Sequence, residues 1–198
     1  QISTGASGAI AGQIKNGAPF DVFLSADQER PEWLEKEGLV QAGSRFTYAM
    51  GRLVLWSNKV GRADPQGAVL RADDLGRVAF ANPKTAPYGA AAVQAIEKMG
   101  LSASLAPKLV QGESIGKTLN FVSTGNADVG FVAMSQVLEG GKLKGGSLWV
   151  IPQALYSPIR QDAVLLKRGA DNPAAKALMQ MLQSPATQAL IRSYGYGM

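Results

Sequence analysis

Short β-rich runs alternate with amphipathic helical stretches along the whole chain, and glycine closes most of the helical ones. Alternation of period-2 and period-3.6 segments constrains the fold to the α/β class, sheets flanked by helices. Ala9 to Asn16 reads as a helix with Ile10 and Ile14 four apart and Gly17 as its stop. Asp21 to Ser25 reads as a buried strand, and Glu32 to Glu37 as a short helix opened by Pro31 and closed by Gly38. Strands are expected at Phe46–Tyr48 and Arg52–Ser57, with Met50-Gly51 as a crossing point between them. Val78–Ala81 follows as a strand ended by Asn82-Pro83, then a helix over 89–99 that turns Val93 and Ile96 inward and stops at Gly100. Ile115–Ser123 is a helix with Leu119 and Val122 on one face, Val129–Ala133 a strand, and Asp162–Lys167 a late strand beyond the turn at Ser157-Pro158. Asn172-Pro173 and Ser184-Pro185 are cap-plus-proline starts of two terminal helices. Leu178, Met181 and Leu182 are expected to bury the first of these, Leu190 and Ile191 the second. No repeat, low-complexity tract or Gly/Ser linker interrupts the pattern, so a two-lobed chain would cross between lobes on ordered strands.

Three of the helix starts share a chemistry. Thr4 to Ile10, Ala86 to Ala91 and Gly112 to Lys117 each run from a small, polar turn into an apolar-periodic helix. A helix start exposes unpaired N–H groups and the positive end of the macrodipole, which favours an anion. Ser7 reads as a helix cap, as a ligand contact or as both, since hydroxyl and neighbouring amides point the same way. At Tyr88, after Pro87, a plain loop-to-helix turn and a site for backbone N–H donors both remain open. Ser114 is a good N-cap, with the Ile115 and Gly116 amides facing whatever sits at that helix end.

Composition argues against chemistry. The chain has no histidine and no cysteine. That removes the usual general base, the Ser-His-Asp triad, thiolate nucleophiles, disulfides and the common transition-metal ligands. Gly5-Ala6-Ser7-Gly8 has the wrong glycine spacing for a nucleophile elbow, and only Lys15 or Lys117 could activate Ser7. Asp21, Asp27, Asp128 and Asp162 do not follow the spacing of a calcium loop, and no phosphate-binding glycine motif is present. The net charge of +5 is spread over scattered Lys and Arg without a basic run, so it reads as a solvated surface rather than a nucleic-acid face. With 46% hydrophobic residues among 198 the chain can bury a real core, and no apolar run reaches the roughly 18 residues of a membrane span. It opens on Gln1 rather than methionine and reads as a processed or trimmed product without a leader.

Several stretches together resemble the periplasmic molybdate-binding proteins of ABC transporters. They are Asn16 to Asp27, Gly38 to Ser57, Asn82-Pro83 through Gly89, Gly125 to Val132, and the Ser184-Pro185 helix with Tyr194-Gly195-Tyr196, so the resemblance spans essentially the whole chain. It implies a two-lobed α/β periplasmic-binding-protein type II fold, with mixed sheets flanked by helices and two crossover strands. Lobe I would comprise residues 1–50 and 160–198, lobe II residues 51–159. It further implies a monomeric, non-enzymatic periplasmic protein with no cofactor, no metal cation and no nucleic-acid partner. Such a protein holds molybdate or tungstate in the inter-lobe cleft and delivers it to a membrane permease. The matching ligand positions are Ser7, Tyr88 and Ile115; many relatives add a tyrosine where Ala133 stands here, a loss for which Tyr88 could compensate. The family pattern also places a strand, a ligand-bearing loop and a helix ahead of Gln1. Without that strand an unpaired sheet edge and exposed apolar surface are expected in lobe I. A sulfate- or phosphate-type binding protein, an effector domain of the same architecture, and a serine–lysine hydrolase are the competing readings.

Overall fold

The structure, a computed structural model, describes residues 1–197. In chain order its first elements are α1 (Ser7–Lys15), β1 (Val22–Leu24), α2 (Glu29–Lys36), β2 (Phe46–Gly51), β3 (Leu53–Ser57) and β4 (Val78–Ala81). Next come α3 (Pro87–Lys98), α4 (Ser102–Leu105), β5 (Leu109–Gly112), α5 (Ile115–Ser123) and β6 (Val129–Ala133). The chain continues through α6 (Met134–Val137), β7 (Leu138–Glu139), β8 (Lys142–Leu143) and β9 (Ser147–Val150). It ends with β10 (Ile159–Leu165), α7 (Pro173–Leu182) and α8 (Pro185–Ser193).

The strands form two main sheets, and the α/β, type II binding-protein architecture stands. One is antiparallel and three-stranded, ordered β1-β10-β2. The other is mixed and five-stranded, ordered β5-β4-β6-β3-β9, with β4 parallel to both β5 and β6 and β3 antiparallel to β6 and β9. The chain passes between the sheets twice, from β2 to β3 through Arg52 and from β9 to β10 through 151–158. Near the first passage Met50 also pairs with Gly197, so the C-terminal segment lies along the junction.

The larger sheet is buried on both faces, which explains its near-continuous apolar strands. Side chains alternate across β3: Leu53 and Leu55 join Val129, Phe131, Ala92 and Ile96 on the α3 side, while Val54 and Trp56 join Ala79, Val122 and Val132 on the α5 side. The smaller sheet packs α1 and α2 on one face through Ala11, Ile14, Leu34, Phe23 and Val164, and α7 on the other through Ala175, Met179, Leu182, Ala163 and Leu165. The outer edge of β1 pairs with no strand among the described residues. An open groove of about 520 Å³ runs beside it, lined by Ile2, Ile10, Phe20, Val22 and Leu24 among others.

Several expectations need correction. Four strands were not foreseen: β5 and β9, which complete the edges of the larger sheet, and the two-residue strands β7 and β8, which pair with each other. The helix opened by Pro31 begins earlier, at Glu29, because proline is tolerated throughout the first turn. The late strand sits three residues upstream of its expected start, at Ile159, where it pairs with Gly51 across from β2. Met181 and Leu190 are 53% and 57% exposed rather than buried. The buried stripe of α7 runs Ala175-Met179-Leu182, which leaves Met181 about 100° away from Leu182, and α8 has no fully buried residue.

Phe131 is fully buried in the central strand β6. Phe131→Ala is expected to lower the unfolding free energy by about 3–5 kcal/mol, and Leu190→Ala by no more than about 0.5 kcal/mol, both read from urea unfolding midpoints.

Candidate functional site

The start of α1 puts a hydroxyl and two amides together. The N-cap is Ala6, in extended conformation, so Ser7 is the first helical residue and its hydroxyl is not the cap. The reading of Ser7 as an N-cap is thereby overturned: no first-turn amide of α1 donates to its hydroxyl. Ser7 is 7% exposed, and its Oγ accepts the N–H of Ala26 at 2.9 Å. An accepting hydroxyl still has its proton to give, and no acceptor among the described residues takes it. The Ser7 N–H is likewise unclaimed there, while the Gly8 N–H donates to the Thr85 carbonyl at 2.9 Å.

The start of α3 is built by a tight loop. The N–H of Ala86 donates to the Asn82 carbonyl at 2.8 Å, and that of Asn82 to the Gly112 carbonyl at 2.8 Å. Pro87 has no N–H to leave unpaired, so Tyr88 offers the first free donor of the helix. The Tyr88 side chain points into the core, where its hydroxyl accepts from Gln161 Nε2 at 2.9 Å; Gln161 Oε1 in turn accepts from the Tyr48 hydroxyl at 2.9 Å. Burial, then the neighbouring Tyr196 and Tyr48, raise the Tyr88 pKa well above the usual tyrosine value against the opposing effect of Gln161, so this phenol stays neutral. Glycine is required at 51 because a Cβ there would overlap both the Tyr88 hydroxyl and the Gln161 amide. Met50 and Gly51, expected as the crossing point, instead end β2, one residue before the passage at Arg52, and the need for glycine at 51 is invisible to local preference.

The start of α5 is capped as expected. Ser114 Oγ accepts the Lys117 N–H at 3.3 Å, leaving the Ile115 and Gly116 N–H groups without a partner among the described residues. Gln136 pins this turn: its Nε2 donates to the Ile115 carbonyl at 3.1 Å and its Oε1 accepts the Ala133 N–H at 3.0 Å. Holding the Ile115 carbonyl fixes the planar 115–116 peptide and with it the direction of the Gly116 N–H. Sequence reasoning missed Gln136, and no pattern around it could have identified it. Ala133, 3% exposed, ends β6 directly beneath this turn.

The three starts meet. Ala6, Ala81 and Ala86 pack together, with Ile115 against them, so the residues flanking Ser7, Tyr88 and Ile115 share one small cluster. Alanine at three of these four places lets the backbones approach. Gly89 serves the same end, since a Cβ there would overlap the Ala81 carbonyl. The result is a set of neutral donors with no acidic group among them. The four aspartates considered for a cation are scattered instead: Asp27 on Arg30, Asp128 on Arg62 and Lys59, Asp162 on Arg45 and Thr47, Asp21 on Arg168 and Asn172. A separate recess of about 530 Å³ lies beside Lys59, Arg62 and Asp128, but its Arg62 is already shared between Asp74 and Asp128.

Residues 1–197 match the sequence model of the family described as bacterial extracellular solute-binding proteins. The molybdate-binding protein of Azotobacter vinelandii is 58% identical over 196 residues, 99% of this chain and 78% of that protein. The molybdate-binding protein of Rhodobacter capsulatus is 55% identical over 97% of this chain and 75% of its own length. In three dimensions a periplasmic molybdate-binding protein of Azotobacter vinelandii superposes with a TM-score of 0.95 and 42% identity, covering 100% of this chain and 86% of that one.

Tyr88→Phe leaves the buried Gln161 Nε2 without its acceptor while sparing the helix-start amides. It is expected to cost about 1–3 kcal/mol of stability, measured by urea unfolding.

Proposed function

Because this chain belongs to the bacterial extracellular solute-binding protein family, in the branch of the molybdate-binding proteins, we propose that it binds molybdate, and also tungstate, at the junction of α1, α3 and α5. It is a binding protein and not an enzyme. The observation that carries the reading is the Ser7 hydroxyl: buried, held as an acceptor by Ala26, and left with a proton to donate beside the free amides of Ser7, Tyr88 and Ile115. A doubly charged tetrahedral anion can be held by such dipoles without a counter-charge, each charge-assisted bond contributing about 1.5–3 kcal/mol. Donors fixed in peptide planes at helix starts do not adjust to a smaller anion, so discrimination against sulfate comes from cavity size rather than charge. Tyr88 contributes through its N–H, because its side chain points into the core, where the hydroxyl accepts from Gln161.

In this reading residues 1–50 and the segment from 160 onward form one lobe and residues 51–159 the other, with the anion between them; residue 198 of that expected lobe lies outside the described residues. Ser7 lies on the first lobe, Tyr88 and Ile115 on the second. Closure of the lobes over the anion creates the form that a membrane permease receives. The protein acts in the periplasm as a monomer.

Isothermal titration with molybdate, tungstate, sulfate and phosphate tests the reading. Tight binding of the first two and none of the others is expected; sulfate binding of equal strength would remove the selectivity. Ser7→Ala is expected to weaken molybdate binding by about tenfold or more, the worth of one charge-assisted hydrogen bond, in a protein whose circular dichroism is unchanged.

A further inference from the structure

The α1–α2 side and the loop that leads into α3 are joined beside the proposed site by two hydrogen bonds. One is the Gly8 N–H to the Thr85 carbonyl, 2.9 Å. The other comes from Arg30, in the first turn of α2. Its Nη1 pairs with Asp27 Oδ2 at 2.7 Å and its Nη2 donates to the Lys84 carbonyl at 3.1 Å. Asp27 is itself fixed, its Oδ1 accepting from the Arg30 N–H at 3.0 Å and the Ser25 hydroxyl at 3.1 Å. Asp27 adjoins Ala26, whose N–H holds the Ser7 hydroxyl. The loop on the far side, 82–86, ends one residue before Pro87 and two before the Tyr88 amide. Arg30 thus ties the segment that orients Ser7 to the segment that presents Tyr88.

We propose that Arg30 is a positioning residue for anion retention: together with the Gly8 N–H it clasps the 82–86 loop onto the α1–α2 side and slows release of the bound anion. The inference rests on the oxyanion-binding reading. Its chemical basis is the guanidinium fork, which serves the Asp27 carboxylate with one nitrogen and the Lys84 carbonyl with another at once. A lysine ammonium is a point charge that can keep the Asp27 pair without also spanning to the carbonyl. Glycine at 8 permits the close approach, since a Cβ there would stand 3.1 Å from both the Cα and the carbonyl oxygen of Thr85. Opening the clasp carries the Tyr88 amide away from the Ser7 hydroxyl, so the anion loses donors from one side together. Contacts of this kind act on the rate of escape more than on the rate of encounter.

Trp33, 38% exposed, lines the same recess as Arg30, Lys84 and Thr85 and supplies the optical probe. Stopped-flow tryptophan fluorescence would follow molybdate release from wild type, Arg30→Met and Arg30→Lys, with calorimetry for the equilibrium affinity. Both variants are expected to release molybdate about ten times faster or more, the worth of one hydrogen bond from a charged donor, with association rates near wild type. Wild-type release from Arg30→Lys, with fast release from Arg30→Met, would assign the effect to the Asp27 ion pair and overturn the clasp. Unchanged release from both would overturn it as well. Should Arg30→Met fail to fold, Arg30→Lys, which keeps the Asp27 pair, decides the matter by itself. A wild-type protein that binds no molybdate would overturn the oxyanion reading and the retention role with it, whereas wild-type binding with unaltered release in the variants overturns the clasp alone.

Discussion

Peptide N–H groups at the starts of three helices have no acceptor within their own helices, and the rest of the molecule is arranged around that fact. Ser7, Tyr88, Ile115 and Gly116 leave such donors free, and alanines at 6, 81 and 86 let the three starts crowd together. Converging positive helix ends repel one another, so the arrangement is held by packing elsewhere: α1 against the smaller sheet, α3 and α5 against opposite faces of the larger one. In the proposed reading, an anion between them would relieve the repulsion and satisfy the donors in one step.

The junction between the sheets is polar where most of the interior is apolar. Gln161, on β10, links Tyr48 of the smaller sheet to Tyr88 of α3, and the register of β10 against β2 shifts between Gln161 and Asp162. The extra residue there, Tyr48, lies on β2, while Asp162, next to Gln161 on β10, faces the other side and meets Arg45 and Thr47. A buried amide with both ends occupied is sensitive to geometry. It therefore fixes how the two passages of chain run past each other, with glycine at 51 the one residue small enough to sit beneath it.

Helices with sharp ends were legible in the sequence because their signals are local. Ser114, Asn172 and Ser184 all cap the helices expected of them, and Ile115–Ser123 and Val129–Ala133 have the expected bounds. The strands β5 and β9 were not legible. Each is a short edge strand of the larger sheet whose existence depends on a neighbour distant in the chain, β5 on β4 and β9 on β3. Met181 and Leu190 were misplaced for a related reason: apolar character says that a residue can be buried, while helix phase and the position of the neighbouring layer decide whether it is.

The candidate site divides along the same line. Sequence alone determined the α/β alternation, the three small-residue helix starts and the absence of any histidine or cysteine that would make them catalytic, since each follows from residue type and short-range backbone preference. Only the tertiary structure decided that the starts meet, that the Ser7 hydroxyl is turned by Ala26 rather than capping its own helix, that the Tyr88 hydroxyl is taken by Gln161, and that Gln136 and Arg30 hold the surrounding turns. Those contacts join residues far apart in the chain. Their geometry is set by how whole layers pack, a quantity that no local window of sequence contains.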